Sequence, residues 1–399
     1  MVTADGESLQ VVAGSGFRGL KNIGNSCYLA SIIIALFHIH DLKNELLEST
    51  HILQCKRSPS TCFACQSIKL AFGLYSEKEL SISPWMFKAT VSKNTEFDNA
   101  RQQDSFEFFQ LLLKKMLDAE RFEELKGITL LFNFKVNQLL ECQSCKKCRL
   151  STVEYDNLSL NVGKEPTSLE DCLLSFTQKA SVDFTCPICG PSKATTQSTL
   201  ESFPSVLVLR LNKFELDNYV PKKLNTLVKI PSELNLSIIQ TQDTEIEFLP
   251  ETPIPDEILM QLMSMGFEKD KIENAFSECQ MTEDVNVLMN WLFENPQEET
   301  ALQNLIQIGI SKTLARKALQ ATGNNFEAAL EFVMNPSTEN TQYTLFSVVS
   351  HKGSSTNCGH YICHTKIDDR WIMFNDDRVA IDSEPSFDNA YVLIFVRNK

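Results

Sequence analysis

The hexapeptides Leu262-Met263-Ser264-Met265-Gly266-Phe267 and Leu305-Ile306-Gln307-Ile308-Gly309-Ile310 lie 43 residues apart in a chain of 399. Each is followed by a short helical stretch and then an acidic-apolar helix, over Asp284 to Glu294 and Asn325 to Met334. Asn295-Pro296 and Asn335-Pro336 supply the stops. Each unit has about forty residues, a size at which a three-helix bundle is only marginally stable alone. Strand-like patterning, β-branched runs broken by Pro, Gly and Asn, occupies roughly Leu130 to Leu236 and resumes at Tyr343 to Val349. The two units therefore interrupt one larger domain. Any fold for this chain must join its two halves across that insertion.

Those halves carry complementary chemistry. Cys27 opens the dense apolar run Tyr28 to Phe37, which the pattern predicts as a buried helix with the cysteine at its N-terminal end. Far downstream stand Cys358-Gly359-His360-Tyr361 and then Trp371-Ile372-Met373-Phe374-Asn375-Asp376-Asp377. A cysteine at a helix start, a histidine and an Asn/Asp orienter are what thiol nucleophilic catalysis requires, because the thiolate attacks and helix N-termini and imidazolium neighbours favour it. An isolated cysteine is more often a small core residue. The flanking residues decide between the two roles.

Gly19-Leu20-Lys21-Asn22-Ile23-Gly24-Asn25-Ser26-Cys27-Tyr28 resembles, at every specified position, the Cys box of the ubiquitin-specific proteases, a papain-like cysteine protease family. Gly359-His360-Tyr361 with Trp371 to Asp376 resembles that family's His box, and Gln102-Gln103-Asp104-Ser105-Phe106 its Gln-Gln-Asp segment, placed here at a helix start. Leu207 to Phe214 is similar to its buried strand ending in a basic-aromatic pair, and Val220-Pro221-Lys222-Lys223-Leu224 is similar to the isopeptidase T branch. The resemblance spans residues 17 to 399.

It implies an α+β fold of thumb, palm and fingers, interrupted by two small three-helix ubiquitin-associated domains. Residues 1–16, polar and Gly-containing, are expected to be disordered. The catalytic domain would begin at 17, with a thumb over 17–125, fingers and palm over 126–239 and a Pro-containing linker over 240–253. The inserted domains would occupy 254–297 and 299–338, and residues 341–399 would complete the palm.

Deubiquitination is the implied activity, with Cys27 attacking the carbonyl of ubiquitin's C-terminal glycine and His360 moving the proton. Asn375 would orient the imidazole, with Asp376 its rival or assistant, and Asn22 would donate to the oxyanion. Gly24 and Gly359 would keep the cleft narrow enough for a Gly-Gly tail. Gln103 and Asp104 are expected to contact ubiquitin. So are Met265, Gly266 and Phe267 of the first inserted domain, and Ile308, Gly309 and Ile310 of the second, whose loop lacks the aromatic. Two other readings stay open: a chain-binding adaptor with vestigial protease boxes, and a protease for a ubiquitin-like modifier. With only sixteen residues ahead of Phe17, the N-terminal zinc-finger region of isopeptidase T is expected to be missing, which leaves anchored and unanchored chains equally allowed.

The 13 cysteines cluster in pairs that favour metal over disulfide in a reducing compartment. Cys142-x-x-Cys145 and Cys186-x-x-Cys189 offer four soft ligands, a closed and therefore structural zinc set; the resemblance puts it at the fingertips. Cys148 could compete as a ligand. His51, Cys55, Cys62 and Cys65 form a second possible set, similar to an insertion in some other members of the family. His-Glu-x-x-His is absent from the sequence, so neither set makes a metalloprotease.

A net charge of −14 argues against nucleic acid as the main partner. No run approaches the ~20 apolar residues of a membrane span, and no signal core opens the chain. Cytoplasm or nucleus, a monomer, and ubiquitin or polyubiquitin as partner are the expectations. Between Glu251 and Thr300 there are twelve acidic residues and two lysines. This concentrates charge around the first inserted unit, where it would raise encounter rates more than affinity.

Overall fold

The computed structural model describes the chain except residues 1–7, 78–81, 218–219, 242–253, 280–281, 283, 295–297, 311–313, 316–317, 320–321, 324, 335–339, 356–357 and 399. The helix Cys27–Phe37 forms where expected and is buried along its whole length. Its Leu, Ile, Ala and Phe residues are apolar on every face, so it lies inside the molecule and not on its surface. It packs against the helix Ser105–Arg121 and against the strands Gln342–Ser355 and Cys358–Ile367. The Ser105–Arg121 helix starts at Asp104, whose side chain accepts from the N–H groups of Phe106 and Glu107 and so caps it.

A nine-stranded sheet lies beneath these helices. Its order runs Gln10–Val11, Arg378–Ile381, Arg370–Asn375, Cys358–Ile367, Gln342–Ser355, Ala390–Arg397, Val206–Asn212 and Leu158–Asn161, with Glu233–Asn235 pairing alongside Gln342–Ser355. Only Leu158–Asn161 against Val206–Asn212 is parallel. Residues 342–397 thus supply its centre and 158–212 one flank, so the sheet is assembled from both sides of the insertion. A second, four-stranded antiparallel sheet runs Cys148–Tyr155, Phe134–Cys142, Gly190–Leu200, Ala180–Cys186.

Three expectations need correction. Residues 8–16 are not a disordered leader: Gln10 and Val11 pair with Ile381 and Ala380, the Val12 N–H donates to the Val379 carbonyl, and Ser15 Oγ donates to the Tyr75 carbonyl. This pairing puts a two-residue strand at the sheet's edge in place of Arg378–Ile381, and so short an edge offers little for another chain to pair with. The start of the linker is also part of the fold, since the Thr241 N–H donates to the Leu200 carbonyl. Within the strand-rich stretch, Leu169–Phe176 is helical, held by a capping box between Ser168 and Asp171.

Between the halves lie short helices with two separate small cores. One is built on Ile258, Leu262, Ile272, Phe276 and Leu288. The other is built on Leu302, Leu305, Ala318, Leu319 and Ala329. The hexapeptide loops close alike. Gly266 has φ +94° and Gly309 φ +93°, and the N–H groups of Phe267 and Ile310 return to the carbonyls of Leu262 and Leu305. This left-handed glycine after a helix is a C-terminal cap. The proline stops and residues 242–253 lie outside the described residues.

Candidate active site

The Cys box is a turn fitted against the His box. Leu20 N–H donates to the Asp376 carbonyl at 3.0 Å. A Cβ on Gly19 would sit 2.2 Å from that carbonyl oxygen, so only glycine allows the approach. Gly24 has φ +101°, and a Cβ there would make only an ordinary contact with Ala100 Cβ at 4.0 Å, so it is the turn's backbone conformation that requires the glycine. Asn22 Oδ1 accepts from the Gly24 and Ser26 N–H groups at 3.1 and 3.2 Å, shaping the turn that delivers Cys27 to its helix start. Cys27 is 4% exposed.

His360 projects from the strand Cys358–Ile367 into hydrogen-bonding reach of Cys27, over three hundred residues away in sequence. Its Nε2 lies 2.7 Å from Asn375 Oδ1 and 4.0 Å from Asp376 Oδ2. Nε2–H therefore donates to Asn375, and Nδ1 is the nitrogen left for the thiol. The hydrogen bond with Cys27 is the largest cause of a His360 pKa raised to about 9; burial opposes it, and Asn375, the Cys27 charge and Asp376 add to it. Asn22 Nδ2 donates to Asp376 Oδ2 at 3.1 Å, so Asp376 ties the Asn22 turn to the histidine. Cys27, His360, Asn375, Asp376 and Asn22 form one constellation.

Of the Gln-Gln-Asp segment, Gln102 reaches this constellation. Its Nε2 donates to the Gly359 carbonyl and its Oε1 accepts from the Gly359 N–H, both at 2.8 Å. Sequence reasoning carried Gln102 only as part of the motif. Gln103 instead donates to the Glu96 carbonyl. Both Asp104 oxygens are engaged, one by the helix cap and the other by Tyr391 Oη at 2.6 Å. Gly359 also lies on His351: a Cβ there would meet its Nε2 at 2.3 Å. His351 is buried, and burial pushes its pKa down to about 4.

Both metal sets converge. The ligand atoms of Cys142, Cys145, Cys186 and Cys189 lie within 4.8 Å of one another, as do those of His51, Cys55, Cys62 and Cys65. Four thiols, or three and an imidazole, at such spacing match tetrahedral zinc. Desolvation, with crowding among the sulfurs added to it, holds Cys189 and Cys65 up to about 12, a penalty that a bound dication removes. Cys148 sits apart, its thiol donating to the Lys146 carbonyl.

In the inserted helices, Met263 and Met265 are exposed, and Phe267 stacks edge-on against the exposed Phe293 at 5.4 Å. Ile308 and Gly309 are exposed, while Ile310 packs against its unit's core.

Comparison with known proteins gives a consistent picture. The family model described as ubiquitin carboxyl-terminal hydrolase matches residues 18–395. Ubiquitin carboxyl-terminal hydrolase 14 of Schizosaccharomyces pombe is 30% identical, covering 96% of this chain and 62% of that protein. Human ubiquitin carboxyl-terminal hydrolase 5 is 24% identical, over 100% of this chain and 64% of its own length. The chain thus spans a little under two thirds of these relatives. Among solved structures, the SAGA Ubp8/Sgf11/Sus1/Sgf73 DUB module bound to ubiquitin aldehyde has a chain matching with a TM-score of 0.66 at 21% identity. That match covers 99% of this chain and 72% of the other. It establishes a shared fold. Among the described residues no helix is long and apolar enough to cross a membrane.

Proposed function

The chain belongs to the ubiquitin carboxyl-terminal hydrolase family, and from that premise we propose that it is a thiol protease that hydrolyses the peptide or isopeptide bond after ubiquitin's C-terminal glycine. The observation that carries the reading is His360 held between Cys27 and Asn375. Asn375 fixes the tautomer, His360 takes the thiol proton, and the Cys27 sulfur bonds to the glycine carbonyl carbon. His360 then protonates the departing lysine amine, and a water deprotonated by the same imidazole hydrolyses the acyl-enzyme. Asn22 Nδ2, with one of its two N–H bonds on Asp376, has the other for the developing oxyanion.

The inserted helical units read as ubiquitin-associated domains. Exposed Met263, Met265 and Phe293 give the first an apolar patch of the kind that meets a partner. Through the two units the enzyme would favour polyubiquitin, by avidity where their spacing matches the chain's. Met265, Gly266 and Phe267 in the first unit, Ile308, Gly309 and Ile310 in the second, and Gln103 of the catalytic part are the positions to vary.

The test is hydrolysis of ubiquitin-7-amido-4-methylcoumarin by the purified chain and its Cys27→Ala variant. Turnover that vanishes with the thiol supports the protease. Ubiquitin binding without turnover in either form would make the chain an adaptor. Reaction with a ubiquitin-like modifier's probe in preference to ubiquitin's would reassign the substrate. Di-ubiquitins digested with and without residues 251–338 test the contribution of the inserted units.

A further inference from the structure

The carboxamides of Asn22, Asn375, Gln102 and Asn25 close a circuit that the Cys27–His360 contact spans. Asn22 Nδ2 donates to Asp376 Oδ2, and the neighbouring Asn375 accepts from His360 Nε2. Gly359, next to His360, is gripped by Gln102. Two residues before Gln102, the Ala100 carbonyl accepts from Asn25 Nδ2 at 2.8 Å. Asn25 stands in the turn that Asn22 Oδ1 shapes, two residues before Cys27. We propose that Asn25 is a positioning residue, which closes this circuit and so fixes the imidazole against the thiol; this rests on the hydrolase reading above.

The segment from Glu96 to Gln103 is built as a bracket between the two catalytic strands of the argument, the cysteine turn and the histidine strand. Phe97 is buried against Tyr28 and Phe108, with ring centroids 5.8 and 5.6 Å away, which anchors one end beside the nucleophile. Lys88 Nζ donates to the Asn99 carbonyl at 2.9 Å, and the Arg101 N–H to Asn99 Oδ1 at 2.7 Å. Gln103 Nε2 donates to the Glu96 carbonyl at 2.9 Å. The carbonyl that Asn25 engages therefore lies between braced residues, and its position carries through to Gln102. The turn meets the bracket at the same place, since a Cβ on Gly24 would sit 4.0 Å from Ala100 Cβ.

Asn25 has φ +48°, in the left-handed region that asparagine enters more readily than most residues. Conformation alone would account for an asparagine or a glycine there. The bond to Ala100 is a separate use of the side chain, made across 75 residues, and substitution can divide the two. Asn25 and Ala100 are both exposed, so the bond contributes little to folding. Its loss acts through geometry, to which the rate is far more sensitive. Links of one circuit act in series: opening it at Asn25 releases the constraint that opening it at Gln102 would also release, and the two losses should not add.

The test is hydrolysis of ubiquitin-7-amido-4-methylcoumarin by Asn25→Gly, which keeps the left-handed turn and removes the carboxamide, and by Asn25→Asp, which keeps the shape and replaces the donor with an acceptor. Each is expected to lower kcat about threefold to tenfold, the scale of one hydrogen bond, with KM within twofold of native. Combined with Gln102→Ala, either variant should lose close to the larger of the two single losses. Native kcat in both Asn25 variants, a loss carried by KM alone, or a double variant whose loss is the product of the single ones overturns the circuit while leaving the protease intact. Absence of turnover in the native chain removes the hydrolase reading and this role with it.

Discussion

Gln102 and Gly359 exchange two hydrogen bonds of 2.8 Å although 257 residues separate them. The carboxamide grips the N–H and the C=O of one residue, Gly359, and the next residue is His360. The glycine is needed because its Cβ would enter His351. The Gln102 side chain, two residues ahead of the cap Asp104, therefore sets where the strand Cys358–Ile367 presents its imidazole.

Replacing Gln102 with alanine is expected to lower kcat/KM for ubiquitin-7-amido-4-methylcoumarin by about 10-fold, the scale of one to two lost hydrogen bonds. Gln102→Glu keeps the acceptor and loses the donor, so its rate should fall between the two. Cys27 should remain alkylatable in both, because the nucleophile's own turn is held by Asn22 and not by Gln102. A rate within twofold of native for Gln102→Ala would remove its positioning role.

The geometry ranks the two candidate orienters that the sequence left open. Asn375 is 2.7 Å from His360 Nε2, and Asp376 is 4.0 Å. Asn375→Ala should cost roughly 10²-fold in kcat, the lower end of what acid–base assistance contributes. Asp376→Asn should cost less, and act through Asn22, whose donor it fixes. The reverse order in steady-state kinetics would move Asp376 into the triad.

How much of this was legible beforehand follows from the range of each signal. The Cys27–Phe37 helix was readable because its residues are apolar on all sides, and a run of that kind has only the interior to occupy. The metal pairs were readable because each Cys-x-x-Cys is local. The Leu169–Phe176 helix was overlooked inside a strand-rich stretch, though Ser168-x-x-Asp171 is a capping box that could have found it. Gln10–Val11 is a two-residue edge strand, too short for any alternation to register. Gln102 was in view as a motif residue, but its partner is a backbone peptide hundreds of residues away, and no local pattern encodes that.

His360 offers a spectroscopic check. Its pKa is raised to about 9, with Cys27 the first cause. A raised histidine contributes stability that is complete below the unfolded value of about 6.5 and is lost as pH rises through the folded one. In Cys27→Ala the imidazole should titrate lower by proton NMR, because burial, which lowers it, is then opposed only by Asn375 and Asp376. The stability lost between pH 6.5 and 9 should shrink with it. An unchanged titration in Cys27→Ala would mean that thiol and imidazole do not interact.

The two metal sets differ in what they hold, and their loss should be distinguishable. Cys142 and Cys186 end strands of the four-stranded sheet and form a small cluster of their own with Cys145 and Phe184. Cys62 and Cys65, by contrast, belong to the same buried core as Cys27, at the start of the Phe63–Tyr75 helix. Arg57 ties that set to the rest by donating to Cys62 Sγ and pairing with Glu124. Elemental analysis should find two zinc ions per chain, with Cys186→Ser and Cys62→Ser each losing one. Cys62→Ser should lower Tm by about 5 °C or more, since a structural zinc contributes directly to folding, and should depress kcat with it through the shared core. Cys186→Ser should leave kcat closer to native and raise KM, because that sheet lies away from the thiol. If both variants lower kcat equally at temperatures where both are folded, the separation of the two sets into core and periphery is wrong.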